Sequence, residues 1–171
     1  MFYARVKLSD LASNQDRFFE SSYDDELRAM AVAILNQQAP IRDDVLAKQV
    51  ARAHGFARTG ANIRSRVLNL LVGVPSTKET TGRFLWSSET PSRIICFRNA
   101  SCEDDRRSAG EMPIAELLGL IQRNEHLLSE DDPAIALARS IGLGRLSQSA
   151  RQRFEEAVSR WQELKGKDEL C

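Results

Sequence analysis

One stretch of this sequence occurs twice. VARAHGFARTGANIRSRV at 50–67 and LARSIGLGRLSQSARQRF at 137–154 align without a gap at a constant offset of 87 residues. Ala51, Arg52, Gly55, Arg58, Arg64 and Arg66 recur as Ala138, Arg139, Gly142, Arg145, Arg151 and Arg153. The same register continues upstream, where Ile34 meets Ile121, Ile41 meets Leu128 and Asp44 meets Asp131. A chain with such a repeat has to build one supersecondary unit twice. Its 171 residues suffice for one ordinary domain, or for two very small units sharing a core.

Each copy reads as three helices. In copy one the first spans 24–37, with Leu27, Met30, Ala31, Ile34 and Leu35 at helical spacing; in copy two it spans about 113–123. The second is short, from 42 to about 53 in copy one, after the Ala39-Pro40 break and with Val45, Leu46, Gln49 and Val50 on it. Gly55 and Gly142 stand where a helix stops. The third helix is expected to open near Thr59 or Ser147 as N-caps. Its stripe is Ile63, Val67, Leu70 and Leu71 in copy one, and Ala150, Phe154, Ala157, Val158 and Trp161 in copy two.

Copy one alone has an addition. Past Gly73-Val74-Pro75 come Arg83-Phe84-Leu85-Trp86 and Arg93-Ile94-Ile95-Cys96-Phe97-Arg98, aromatic and β-branched runs separated by the turn residues Ser88-Glu89-Thr90-Pro91. These predict a β-hairpin. Three helices and a hairpin follow the chain order of a winged helix, in which the third helix reads the major groove and the hairpin is the wing. The expected fold class is therefore mainly α with a small β-hairpin: a winged-helix-like three-helix unit, then a second three-helix repeat lacking the wing. The expected division is an N-terminal extension over 1–23, the winged unit over 24–99, an exposed charged linker over 100–110, the second unit over 111–165 and a tail over 166–171.

Net charge is zero, which speaks against a general polyanion binder, but the charge is uneven. From Arg42 to Arg98 there are 10 Lys/Arg against 4 Asp/Glu, whereas 1–41 carries 4 against 6 and 99–171 carries 10 against 14. A locally basic stretch is what phosphate contacts require. No apolar run is long enough to span a bilayer. The start, MFYARVKLSD, lacks the apolar stretch of a secretory signal, and in KDELC the retention tetrapeptide is followed by Cys171 and so is not terminal. Cys96, Cys102 and Cys171 are too few and too scattered for a disulfide framework, so the expected compartment is the cytoplasm.

The run Gly55-Phe56-Ala57-Arg58-Thr59-Gly60 through Ile63-Arg64-Ser65-Arg66, followed by GRFLW and a second, weaker helical unit, resembles an uncharacterised bacterial domain family. Members of that family stand at the C-terminal end of large superfamily 1 helicase-like proteins, some of which also carry a very-short-patch-repair-like nuclease. The resemblance covers roughly 27–164. It implies an accessory module of a DNA-processing or phage-defence system, with a helicase or nuclease as partner or as the remainder of a longer chain. Copy two departs from the motif, with Leu146-Ser147 where Thr59-Gly60 stand.

The candidate DNA-binding residues are Arg58, Thr59, Asn62, Arg64, Ser65 and Arg66 around the third helix, and Lys78, Arg83, Arg93 and Arg98 on or near the hairpin. Arginine suits phosphates and guanine edges. On a helical wheel Arg64 and Arg66 flank the apolar stripe, while Ala61, Asn62, Ser65 and Asn69 point outward. Arginines on such a boundary also lay their stems over a core and pair with acids, and their recurrence in copy two fits that structural reading. The wing arginines have their own structural alternative, the protection of an edge strand. Phe84, Trp86 and Phe97 are expected in the core rather than stacked on bases.

Signals for catalysis, cofactors and metals are weak. His54 and His126 lack metal-ligand spacing, and His54 is placed to cap helix carbonyls. Cys96 and Cys102 lack a second pair, and Gly73 to Lys78 lacks the Gly-Lys-Ser/Thr of a phosphate loop. The acidic runs at 24–26 and 130–132 sit at helix starts, where the dipole favours them, and that at 103–105 falls in the linker. The expectation is a non-enzymatic module that binds duplex DNA and no membrane. The alternative is a protein-docking or scaffold domain without DNA contact.

Overall fold

The helix breaks of the sequence become the helix ends of the fold. The computed structural model describes residues 1–8, 13–87 and 91–168, and the chain divides into two units. One is made of residues 4–91, the other of residues 1–3 with the chain from Ser92 onward. Strand β1 (Phe2–Tyr3) belongs to the second unit.

In the first unit, helix α1 (Asp24–Gln38) opens on three acids and buries Leu27, Met30, Ala31, Ile34 and Leu35, the stripe its spacing predicts. Strand β2 (Ile41–Arg42) follows Pro40 and leads into helix α2 (Asp43–Ala53). Helix α3 (Ala61–Asn69) comes next, then strands β3 (Ser76–Glu79) and β4 (Gly82–Leu85). The sheet is antiparallel in the order β2-β4-β3, with Arg42 opposite Phe84 and Lys78 opposite Arg83. Phe18, Leu27, Ile34, Leu46, Val50 and Val67 are fully buried in the core of the unit. Gln38 is buried too, and it trades two 2.9 Å amide hydrogen bonds with Gln49, so its polar groups are satisfied.

The second unit pairs β1 in parallel with strand β5 (Asn99–Ala100) and packs helices α4 (Ile114–Arg123), α5 (Pro133–Ser140) and α6 (Gln148–Asp168). Asp132 caps α5 by accepting from the Ile135 amide at 3.1 Å, with Pro133 in the first turn. Ser147 caps α6 through the Ala150 amide at 3.2 Å. In the first unit the expected cap, Thr59, does not act: Gly60 is the N-cap of α3 and no side chain caps it. No described helix is long and apolar enough to cross a membrane.

The fold is mainly helical with a small hairpin, as expected, but the hairpin lies elsewhere in the chain. Its strands are 76–79 and 82–85, whereas 93–98 forms no strand. Ser88, Glu89 and Thr90 of the expected turn lie outside the described residues, as do 169–171 of the tail. The run from Ile94 to Arg98 is drawn instead onto α4. The Ile95 amide donates to the Ala115 carbonyl at 3.0 Å, and Phe97 joins the core of α4 and α6. Gly119 permits this approach, because a Cβ there would lie 1.8 Å from the Ile95 carbonyl oxygen.

Arg98 and the expected linker are corrected for the same reason. Glu116, fully buried on α4, accepts from the Arg98 amide at 2.9 Å and from its guanidinium at 2.8 Å. Arg107 clamps the same carboxylate at 2.5 and 2.8 Å and also donates to the Arg98 carbonyl. The Tyr3 ring lies 4.1 Å from the Arg107 guanidinium, a cation–π contact. Asp105 and Arg107 are therefore interior parts of the second unit, not exposed linker residues. Burial pushes the Glu116 carboxyl up, but Arg107 and Arg98 outweigh it and hold the group below the usual glutamate range.

Gly119→Ala forces backbone apart and is expected to cost about 1–3 kcal/mol or more in urea unfolding. Gly144→Ala, with open space at its Cβ, stays within about 0.5 kcal/mol of the parent. Glu116→Gln strands two buried guanidinium groups and is expected to cost about 3–5 kcal/mol at neutral pH. Because the folded carboxyl titrates below the unfolded one, its stabilisation is complete above about pH 4.3 and is lost as pH falls through the folded value. Acid unfolding followed by circular dichroism should therefore be shallower in E116Q than in the parent.

Candidate nucleic-acid interface

The first unit places its cations around the turn between α2 and α3. Helix α2 carries Asp44, Lys48 and Arg52 four residues apart, on the side away from buried Leu46, Ala47 and Val50. The helix stops at Gly55, whose φ of +81° is the left-handed conformation glycine adopts freely. The Phe56 amide reaches back to the Ala51 carbonyl at 3.1 Å, and the Gly55 amide to Arg52 at 3.0 Å, a closed helix end. His54 caps as expected, Nδ1–H donating to the Val50 carbonyl at 2.8 Å, while Nε2 faces the Tyr23 hydroxyl at 3.2 Å.

Lys48, Arg52, Arg58, Thr59 and Arg64 line one groove together with Asp44 and Ala57. A small-molecule pocket is mostly apolar, and this one is lined almost entirely by polar and cationic side chains. Arg42 grips Asp44 at 2.6 and 2.9 Å. Burial raises the Asp44 carboxyl, but the Arg42 hydrogen bond and charge, with the Arg64 charge and the Val45 amide, outweigh it and hold the group below the usual aspartate range. The acid in the groove is thus already neutralised. Lys48, Arg52 and Arg58 are exposed, and none has an ion-pair or hydrogen-bond partner among the described residues.

Arg64 and Arg83 share one carboxylate. Asp43, with a side chain 5% exposed, accepts from Arg64 Nη2 at 2.8 Å and from Arg83 Nε at 3.0 Å. This one acid ties the start of α2 to α3 and to β4. The two arginines remain 48% and 47% exposed, so each is anchored at one nitrogen and open at the others. Lys78 lies across the ladder from Arg83, exposed and without a partner among the described residues. Asn62 and Ser65 stand exposed on α3.

Three expected residues fall outside this arrangement. Arg66 turns inward, donating to the carbonyls of Phe18 at 3.2 Å and Glu20 at 2.7 Å and pairing with Asp24. Arg98 is buried against Glu116, and Arg93, though exposed, sits in a bend of the second unit rather than on the hairpin. Phe84, Trp86 and Phe97 are buried as expected, with Trp86 Nε1 satisfied by Thr77 at 3.0 Å. Sequence reasoning missed Lys48 and Arg52. Their four-residue spacing opposite the apolar stripe of α2 was the available signal.

If Lys48, Arg52 and Arg58 serve only an outside partner, each alanine variant should keep its unfolding free energy within about 0.5 kcal/mol of the parent. Asp43→Asn, which slackens two charged hydrogen bonds, is expected to cost about 1–3 kcal/mol in the same urea titration.

Among known proteins, a family model described as a protein of unknown function, DUF3320, matches residues 16–65. That span runs from ahead of α1 into α3, under a third of the chain, and leaves out the hairpin and the second unit. No curated protein and no solved structure matches the chain.

Proposed function

We propose that the chain is a non-catalytic, winged-helix-type module that binds duplex DNA through its first unit. The observation that carries this reading is the groove in which Lys48, Arg52 and Arg58, unpaired among the described residues, open beside anchored Arg64. Exposed cations without intramolecular partners add little to a fold, whereas a row of them neutralises phosphates and releases counterions.

The order α1-β2-α2-α3-β3-β4 and the sheet order β2-β4-β3 support the winged-helix reading. On it, α3 offers Asn62 and Ser65 to a groove and the β3–β4 hairpin is the wing. Lys78 facing Arg83 across that wing costs stability in isolation, and an anion resting on both would relieve it. The proposed contact set is Lys48, Arg52, Arg58, Thr59, Asn62, Arg64, Ser65, Lys78 and Arg83. The likeness of 55–66 to the domain of helicase-like proteins supports a role beside a helicase or nuclease in DNA processing or phage defence, in the cytoplasm. Phosphate contacts position without specifying, so little sequence preference is expected.

Fluorescence anisotropy on a labelled duplex of roughly 25 base pairs, titrated across salt, tests the reading. The K48A/R52A/R58A variant should flatten the dependence of log affinity on log salt by about 2.7, about 0.9 per lost contact. A parent chain that fails to bind even at low salt overturns the proposal in favour of protein docking.

A further inference from the structure

The second unit repeats the hydrogen bonds that close the turn of the first. Gly142, like Gly55, has a φ of +81°. The Leu143 amide reaches the Ala138 carbonyl at 3.0 Å and the Gly142 amide reaches Arg139 at 3.0 Å, the counterparts of the Phe56–Ala51 and Gly55–Arg52 bonds. The Arg151 amide bonds Ser147 as the Arg64 amide bonds Gly60. Helices α4, α5 and α6 overlie the positions of α1, α2 and α3 at the same offset of 87 residues.

This duplication separates residues the fold needs from residues it does not. Ala51 and Ala138 are both fully buried. Both glycines hold the left-handed turn. Arg66 and Arg153 both turn inward to backbone carbonyls ahead of their unit's first helix, Phe18 and Glu20 in one case and Met112 in the other. Arg64 and Arg151 both pair with an acid at the start of their unit's second helix, Asp43 and Asp132. Two matched pairs are left, Arg52 with Arg139 and Arg58 with Arg145. All four are exposed and without a partner among the described residues. The helix dipole gives Arg52 and Arg139, each in a last turn, a modest reason to be basic. Arg58 and Arg145 lack even that.

We infer that Arg139 and Arg145 form a second phosphate-contact site, so that each unit of the chain holds the nucleic-acid backbone through the same arginine-flanked turn. The inference rests on the DNA-binding reading of the first unit and extends it to the second. The second site is the weaker one: Ile135 stands where Lys48 does, and Arg151 is engaged by both Asp132 and Glu155. Two free guanidinium groups remain there, enough for two phosphates.

The test uses the full chain on the same labelled duplex, comparing the parent with R139A/R145A, R52A/R58A and R123A/R160A. The last removes two charges from α4 and α6 away from the turn. Circular dichroism melts confirm that each variant is folded. R139A/R145A should lower the salt slope by about 1.8, so that between about 50 and 200 mM salt the parent loses about tenfold more affinity than the variant. R52A/R58A should lower it at least as much, and R123A/R160A should leave it unchanged. A parent-like slope in R139A/R145A beside a lowered slope in R52A/R58A overturns the second site and leaves the first standing. An equal drop in R123A/R160A also overturns it, since net charge would then be the cause. A parent that binds no duplex overturns both readings.

Discussion

In each unit a guanidinium carried by the third helix closes the bundle on the chain ahead of the first. Arg153 does so from full burial, through the Met112 carbonyl and Glu156; Arg66 does so through Phe18, Glu20 and Asp24. A buried cation of this kind is tolerated because backbone carbonyls and an acid meet it. It fixes the third helix in rotation as well as position. The α2–α3 turn, and hence the groove of Lys48, Arg52 and Arg58, inherits its geometry from that fixation. A lysine would supply the charge without the planar fork that reaches two carbonyls and a carboxylate together.

What was legible in the sequence followed from periodicity and punctuation. The helical spacing of Leu27 to Leu35, the Ala39-Pro40 break and the paired glycines placed all three helices of the first copy to within a residue or two. The hairpin was misplaced because strand composition is a statement about partly buried surface, not about pairing. Ile94, Ile95 and Phe97 look like a strand, yet α4 offers them a glycine-opened face instead. The strand that pairs with β4 is Ser76-Thr77-Lys78-Glu79, which carries no apolar alternation at all. Its register is set by the two-residue turn Thr80-Thr81 ahead of Gly82, whose φ is +142°, a local signal that strand composition does not carry.

The arginines show the same limit more sharply. The sequence groups Arg83, Arg93 and Arg98 on one wing, but the fates of Arg83 and Arg98 differ because of two acids far away in sequence. Asp43 holds Arg83 at the surface, and Glu116 takes Arg98 into the interior. One of these acids did leave a trace. Glu116 interrupts the run Ile114-Ala115-Leu117-Leu118 of a helix whose neighbouring positions are buried, and a carboxylate on such a face demands a cation. Asp43 left none, since an acid at a helix start is explained by the dipole alone.

These pairings also reconcile a net charge of zero with the proposed polyanion partner. Asp24, Asp43, Asp44, Glu116 and Asp132 are each engaged by an arginine within their own unit. These five of the chain's 24 acids are taken up inside the fold, while others, such as Asp25 and Glu103, stay exposed elsewhere. The cations of the α2–α3 turn are not consumed, and their field at the surface is that of a local excess screened over about 10 Å at ordinary salt. Formal charge counts residues, but a phosphate meets only the charges within a screening length. A chain that is neutral in sum is therefore able to present a basic groove, and the arginines anchored on Asp43 stand at its edge already oriented.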